Sequence, residues 1–172
     1  SATLSVVLQQ ATSLGGDAFF LYHHAADGKT IGLNATGHAP DGATDEYYKD
    51  GIPDRGPNAV SVPGMVRGWE RLHEKYGRLP WTELFDDAID AAESHPASRV
   101  LCAGLDLFRD DVMADPAARA LYFNAAGERM QAGDIMRQPA LAETLRKIRD
   151  GKSAAYYEGD IAKSIGDYAL AN

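Results

Sequence analysis

Histidine and acidic side chains are the first candidates for chemistry in this sequence of 172 residues. His23 and His24 are adjacent, and Asp27 follows them closely, a grouping of the residue types that bind metal ions. Adjacent residues of a strand point to opposite faces, so the two imidazoles cannot easily share one ion. We therefore predict neither a metal site nor a bound cofactor.

Two other groups of reactive side chains have simple explanations. Asp86, Asp87 and Asp90 form an acidic helix face, which solvation explains more simply than calcium, since calcium requires a looped cage of oxygen atoms. Cys102 is the only cysteine, which excludes an intrachain disulfide. A nucleophilic cysteine needs a nearby histidine and an electropositive setting, so Cys102 is interpreted as a small buried hydrophobe on a helix. The sequence by itself therefore predicts no catalytic residue in this chain.

Composition indicates a globular protein with one ordinary domain, spanning residues 1–172. Hydrophobic residues make up 45% of the chain and charged residues 24%. The formal net charge of −8 repels phosphate backbones, which argues against a nucleic-acid partner. No run approaches the ~18 apolar residues of a membrane span. No basic region precedes the apolar opening, so no leader is predicted and the compartment stays open.

The elements that must position any site begin with a β-hairpin. Residues 17–23 form a strand rich in aromatic side chains, and residues 30–34 form the returning strand. Residues 26–29 between them carry a turn signal, in which Gly28 is free to adopt a positive φ. An isolated hairpin is at best marginally stable, so it must join a larger sheet, which another polypeptide or further sequence would supply.

Helical periodicity dominates the rest of the chain, apart from a long loop over residues 37–58. Pro63 lies near the start of one helix and Gly77 just past its end, and Ser98 is the expected N-cap of another. The remaining predicted helices are the end of a buried helix in residues 2–11, one from near Pro80 to His95, one from Pro139 to a stop at Gly151, and a last one capped by Asp160. Residues 117–123 are predicted to form a short helix or a turn. We place Leu101, Leu105 and Phe108 on the inward face of the Ser98 helix. The fold class is therefore α+β, mainly helical with one hairpin.

Several motifs, in order along nearly the whole chain, closely resemble the large subunit of the γ-glutamyltranspeptidase family. In that family a glycine-rich segment precedes the hairpin, and an Arg-Glu-x-Ala-Pro sequence ends its second strand. A Val-Pro-Gly helix start, a Lys-Tyr-Gly-Arg-Leu-Pro corner and two later signatures follow. The matching segments here are residues 14–19, 33–40, 62–64, 75–80, 138–142 and 156–162.

The resemblance implies an N-terminal nucleophile hydrolase with a four-layer αββα sandwich, to which the hairpin would belong. Members are made as precursors that cut themselves into two subunits, and the partner of this chain would be the small, nucleophile-bearing subunit. Its N-terminal threonine attacks a γ-glutamyl amide, such as that of glutathione, and its own α-amino group, of pKa near ~8, acts as base. Water or an amine then resolves the acyl-enzyme, so the whole protein would be a hydrolase and acyltransferase of small-molecule amides.

The nucleophile lies outside these residues, because the Thr-Thr-His-x-Ser-Val start of the small subunit does not occur in the sequence. Ser1 could in principle act as nucleophile and base. The resemblance instead places Ser1 inside a helix and not at the nucleophile strand, so Ser1 is interpreted as a processing end. This chain alone is therefore predicted to be inactive, with no catalytic residue.

The resemblance places the substrate pocket wall at Asn34, Thr36 and His38. Thr36 falls on the family arginine that holds the substrate α-carboxylate, and Gly37 falls on the glutamate beside it. A guanidinium offers two charge-assisted hydrogen bonds where a hydroxyl offers one neutral bond, and losing the clamp costs on the order of 2–5 kcal/mol in binding. His38 could replace the lost charge when protonated, although an exposed loop histidine is the simpler interpretation.

The function predicted from the sequence is thus the large-subunit part of a γ-glutamyltranspeptidase-like amide hydrolase or acyltransferase with altered acyl specificity. An acylase of the cephalosporin-acylase kind is one form that such a relative could take. The alternative is a catalytically inactive helical binding or scaffold domain that has kept the shape of the family.

Overall fold

A computed structural model describes residues 1–171 of the chain. Within that range the chain is mainly helical, and eight α-helices follow one another: α1 Leu4–Val7, α2 Met65–Tyr76, α3 Asp86–Glu93, α4 Arg99–Leu107, α5 Arg109–Ala114, α6 Pro116–Tyr122, α7 Pro139–Tyr157 and α8 Asp160–Ala171. The strands of these residues are β1 Ala18–His24, β2 Lys29–Ala35, β3 His95–Pro96 and β4 Ile135–Met136. Short 3-10 turns span Pro57–Ala59 and Trp81–Phe85.

Strands β1 and β2 form the predicted antiparallel hairpin, with Ala18 opposite Ala35 and His24 opposite Lys29. Gly28 adopts the expected positive φ of 66° in the connecting turn. In the same turn the Asp27 carboxylate accepts the Lys29 N–H at 3.1 Å and lies 3.0 Å from Nδ1 of His24. These two contacts, the one to Lys29 first, lower the pKa of Asp27. Burial alternates along β1, so one face of the hairpin is packed and the other is exposed.

The chain divides into two compact units, and the first comprises Ser1–Ser13 and Thr82–Arg146. Its core contains Leu101 and Leu105 of α4, together with Met136 of β4. Cys102 is 4% exposed in the same cluster, as expected of a structural cysteine. The Ser98 hydroxyl accepts the Leu101 N–H at 3.0 Å, which confirms the predicted N-cap.

The second unit comprises Leu14–Trp81 and the chain from Lys147 onward. Helix α2 packs against β2 and buries Val66 and Trp69. The Trp81 indole N–H donates to the Ile148 carbonyl at 3.2 Å, and the Tyr156 hydroxyl donates to the Leu14 carbonyl at 3.0 Å. These two bonds tie α7 to Leu14, which precedes the hairpin, and to Trp81, which follows α2. Of the predicted site residues, Asn34 lies in β2, and Thr36 and His38 follow that strand.

The packing of α2 on β2 depends on a glycine. A Cβ at Gly68 would lie 2.5 Å from the Ala35 Cβ and 2.9 Å from the Phe20 ring. Both distances are shorter than real Cβ contacts, so the helix can approach the strand this closely only because Gly68 has no side chain.

Helix α7 does not stop at Gly151 as predicted. It continues to Tyr157 with a break at Lys152, where φ is 54° and ψ is −150°. The reason is a tertiary contact, because the buried carboxylate of Glu70 in α2 accepts both the backbone N–H, at 3.3 Å, and the hydroxyl of Ser153. These bonds hold the chain in a strained turn that allows the helix to restart.

The remaining differences from prediction are local. The opening helix is confined to Leu4–Val7. Phe108 is 41% exposed and not inward, because α4 ends at Leu107 and the unpredicted helix α5 begins at Arg109. Tyr48 donates to the Asn58 carbonyl at 2.8 Å and so closes the long loop on itself. The mainly helical α+β class with one hairpin is as expected, and the single-domain interpretation stays a prediction.

Replacing Gly68 by alanine should destabilise the second unit, because the added methyl overlaps Ala35 and Phe20. We expect a loss of about 1–3 kcal/mol in the free energy of unfolding, measured by urea denaturation. Gly166→Ala in α8 is the matched control, since nothing lies within 4 Å of its Cβ position. The control should be stabilised by roughly 0.5–1 kcal/mol. Equal effects of the two substitutions would contradict the packing described.

Burial raises the pKa of Tyr156 to about 12, above its unfolded value near ~10. The native state therefore retains this proton where the unfolded state loses it. The stabilisation from keeping Tyr156 neutral is fully present below about pH 10 and is lost as the pH rises towards 12.

The Tyr156→Phe variant should lose about 1 kcal/mol of unfolding free energy near neutral pH, the value of one hydrogen bond to Leu14. Its deficit relative to the unchanged protein should shrink at about pH 11, because the phenylalanine does not titrate. Urea denaturation at about pH 8 and about pH 11 measures both values. Tyr47→Phe, at an exposed side chain, serves as the control. A deficit that stays constant across this range would refute the role given to Tyr156.

Candidate functional site

A cavity of about 380 Å³ opens at the end of strand β2 in the second unit. It is lined by the segment that leaves β2, the residues that precede α2, the first turns of α2 and Tyr157 of α7. The three residues predicted from the sequence, Asn34, Thr36 and His38, all lie on its wall. The structure therefore brings them together, and their role in binding substrate stays a prediction.

Short contacts hold in place the two segments of the wall, the residues that leave β2 and the residues that precede α2. The Gly37 N–H donates to the Asp17 carboxylate at 2.7 Å, and the Val62 N–H donates to the His38 carbonyl at 3.0 Å. A Cβ at Gly64 would lie 2.2 Å from the Ala35 carbonyl oxygen, so the start of α2 nearly touches the strand backbone. The predicted Val-Pro-Gly helix start thus faces the segment that carries Thr36.

Thr36 and Asn34 form a closed pair. The Asn34 side-chain oxygen accepts the Thr36 N–H at 2.9 Å and the Thr36 hydroxyl at 2.7 Å. A hydroxyl has one proton to donate, and here that proton is already used. Thr36 can therefore offer a ligand only acceptor lone pairs, which do not attract a carboxylate.

His38 is exposed and its Nδ1 lies 2.8 Å from the Ala39 carbonyl. A carbonyl can only accept, so Nδ1 carries a proton in this arrangement. The remaining ring nitrogen, Nε2, is the atom that His38 can offer to a ligand. Both sequence-based interpretations of His38 are compatible with this position on the cavity wall.

Two arginines that sequence reasoning missed also line the cavity, Arg67 and Arg71 of α2. The Arg67 guanidinium lies 5.2 Å from the centre of the Tyr157 ring and 3.7 Å from the Glu70 carboxylate. Arg71 lies 3.3 Å from Glu74. The sequence signal that could have found them is their i, i+4 spacing just after the Val-Pro-Gly start, because such residues share one helix face.

Tyr157 joins the start of α2 to the end of α7. Its hydroxyl donates to the Pro63 carbonyl at 2.7 Å and accepts the Arg67 N–H at 3.3 Å. Partial burial raises the pKa of Tyr157, so its hydroxyl stays protonated at neutral pH. The two hydrogen bonds of its hydroxyl thus hold the Tyr157 ring in place beside the Arg67 guanidinium.

The charge on the cavity wall is one-sided. Among the side chains that the structure describes there, the two charged groups are arginines, and none is an aspartate or glutamate. In residues 1–171 no group of three or more His, Cys, Asp and Glu side chains is arranged to hold a metal ion. None of the helices described is long and apolar enough to cross a membrane. The two arginines are the cations of this wall, and each lies beside a glutamate outside the lining, Glu70 at 3.7 Å from Arg67 and Glu74 at 3.3 Å from Arg71.

Comparison with known proteins links this geometry to one family. The family model described as gamma-glutamyltranspeptidase matches residues 1–172. The glutathione hydrolase-like YwrD proenzyme of Bacillus subtilis is 33% identical over 169 residues, which cover 96% of this chain and 32% of that protein. Two further relatives are scoloptoxin SSD14 of Scolopendra dehaani, 29% identical, and glutathione hydrolase 2 of Arabidopsis thaliana, 34% identical. The chain spans less than a third of the length of each of these three relatives.

Solved structures agree with the sequence match. The γ-glutamyltranspeptidase of Helicobacter pylori superposes with a TM-score of 0.88 at 29% identity, covering 96% of this chain and 50% of that one. The cephalosporin acylase of Bacillus halodurans superposes with a TM-score of 0.85 at 28% identity, covering 97% and 33%. The predicted fold class is thereby confirmed, and the match corresponds to the large-subunit region of such proteins. The chain belongs to the γ-glutamyltranspeptidase family.

Proposed function

We propose that this chain is the large-subunit part of an amide hydrolase and acyltransferase, and that it forms one wall of the acyl pocket. In this proposal the chain is a single domain of the large subunit, and the small subunit of the same precursor supplies the catalytic threonine. The observation that carries this proposal is the cavity at the end of β2, which collects Asn34, Thr36 and His38 in a chain of this family.

In the proposed reaction the hydroxyl of the partner's threonine attacks the amide carbonyl, and its α-amino group takes the proton. The C–N bond then breaks, and the same proton leaves with the departing amine. Water hydrolyses the resulting ester, or a second amine accepts the acyl group. The residues of this chain enter no bond, so their part is to hold the acyl group in the orientation that the attack requires.

The acyl specificity is proposed to differ from that for a γ-glutamyl group. Thr36 occupies the position of the arginine expected to grip the α-carboxylate, and its hydroxyl proton is bound to Asn34. A neutral acceptor cannot replace a guanidinium that makes two charge-assisted hydrogen bonds. The expected cost, on the order of 2–5 kcal/mol, is large enough to change which substrates are turned over.

The exposed face of the hairpin is evidence for the proposal that this chain binds a partner subunit. Phe19 is 75% exposed and Leu21 is 83% exposed, and both lie on the same face of β1. Neighbouring apolar side chains that point to water indicate an interaction surface. The nucleophile-bearing subunit is the proposed occupant, since a hairpin needs further sheet to be stable and the chain covers only part of its relatives.

The purified chain should not hydrolyse γ-glutamyl p-nitroanilide, because the nucleophile lies outside it. Release of p-nitroaniline, followed by absorbance, measures this. Adding the nucleophile subunit by co-expression should produce amide hydrolysis, with an acyl group other than γ-glutamyl preferred. Thr36→Arg should shift that preference towards γ-glutamyl, while Thr36→Ser, which keeps a hydroxyl, should not.

Clear turnover by the purified chain alone would end this proposal. A complete protein that is inactive towards every amide, with no Thr-Thr-His-like start encoded downstream, would favour the alternative of an inactive binding or scaffold domain.

Replacing Phe19 and Leu21 together by serine should weaken association with the nucleophile subunit at least tenfold. Burying each side chain contributes about 1.5–3 kcal/mol, and a tenfold change corresponds to about 1.4 kcal/mol. Leu170→Ser in α8 is the matched control, because Leu170 is 90% exposed and lies outside the hairpin. Co-purification and sedimentation measure the association. Unchanged binding by the double variant would show that the partner does not use this face.

A further inference from the structure

We propose that Arg67 and Arg71 form an anion-binding subsite that holds a carboxylate on the acyl group. This inference rests on the proposed function, because it names the group that the cavity would bind. In the family the arginine expected to bind the carboxylate lies at the end of strand β2, at the position of Thr36. In this chain the proposed cations lie instead on helix α2.

The first support is geometric. Arg67 and Arg71 lie one helical turn apart, at positions i and i+4 of α2, where Cβ atoms are about 5–6 Å apart. Both side chains line the same cavity as Thr36 and His38. Two guanidinium groups on one wall can contact a single carboxylate from two directions.

The second support is that Arg67 is already positioned. Its guanidinium lies 5.2 Å from the Tyr157 ring centre, and the Tyr157 hydroxyl is itself bonded to Pro63. The Glu70 carboxylate is 3.7 Å away, longer than a hydrogen bond, and it already accepts the hydroxyl and N–H of Ser153. A guanidinium has five N–H donors, so this arrangement leaves donors for a ligand.

Arg71 can exchange its present partner for a ligand. Its side chain is 66% exposed, and its ion pair with Glu74 at 3.3 Å lies on the helix surface. Exposed pairs of this kind contribute little to stability, because water competes for both charges. A carboxylate that is partly enclosed in the cavity can therefore displace Glu74.

The third support comes from counting the donors on the wall. The hydroxyl proton of Thr36 goes to Asn34, and the Nδ1 proton of His38 faces the Ala39 carbonyl. No aspartate or glutamate is among the side chains described on the wall, although the whole chain carries a net charge of −8. The charged donors described on this wall are therefore the two arginines, whose ion-pair partners Glu70 and Glu74 lie outside the lining.

The test is NMR spectroscopy of the assembled two-subunit protein labelled with ¹⁵N-arginine, titrated with succinate. We expect saturable shifts of the Arg67 and Arg71 Nε–H signals, which Arg67→Lys and Arg71→Lys variants assign. Succinamide, which has the same shape without the charge, should cause no such shifts. The Arg67→Ala/Arg71→Ala double variant should raise the dissociation constant for succinate at least tenfold.

Arg78→Ala provides the matched control, because Arg78 is exposed just beyond α2 and outside the cavity lining. It removes the same charge and should leave succinate binding unchanged. Equal weakening by Arg78→Ala would indicate a general charge effect and overturn the subsite. Signals that do not respond to succinate, that respond equally to succinamide, or that respond more strongly to inorganic phosphate would also overturn it.

The readout needs no turnover, so it separates this inference from the proposed function. If the two signals respond and no amide is cleaved, the subsite is supported and the proposed function fails. If amides are cleaved while the signals do not respond, the proposed function is supported and the subsite is refuted.

Discussion

The close contact between helix α2 and the end of strand β2 is the constraint on which the site depends. Gly68 lets the helix lie against Ala35 and Phe20, and Gly64 brings its first turn to the strand backbone. Because the helix cannot move away without opening the unit, the segment that leaves β2 is held beside the first turns of α2. The cavity is the space that remains between them, and residues from strand and helix necessarily share it.

Charge distinguishes the two sides of this cavity. The strand side carries Thr36 and Asn34, which satisfy each other with short hydrogen bonds and have no charge. The helix side carries Arg67 and Arg71, and their own acidic neighbours are either bonded elsewhere or exposed to water. In the family the expected cation lies on the strand side. We propose that the same cavity receives a carboxylate in a different orientation, which would change the acyl group that fits.

Sequence reasoning succeeded where the signal is local. The turn with Gly28, the Ser98 cap and the start and end of α2 follow from the conformational preferences of a few adjacent residues. The grouping of Asn34, Thr36 and His38 came from the family resemblance, because no local pattern marks them. The break at Lys152 could not be predicted, since it depends on Glu70 many residues away. Arg67 and Arg71 were missed for a similar reason. Their spacing shows that they share one helix face, but it does not show which part of the protein that face borders.

The most direct test is a crystal structure of the assembled protein with a carboxylate-bearing acyl group trapped on the nucleophile. The account predicts that the acyl chain enters the cavity between β2 and α2, with a carboxylate oxygen about 3 Å from a guanidinium nitrogen of Arg67 or Arg71. An acyl group bound at another place, or a cavity filled entirely by side chains of the partner subunit, would contradict it.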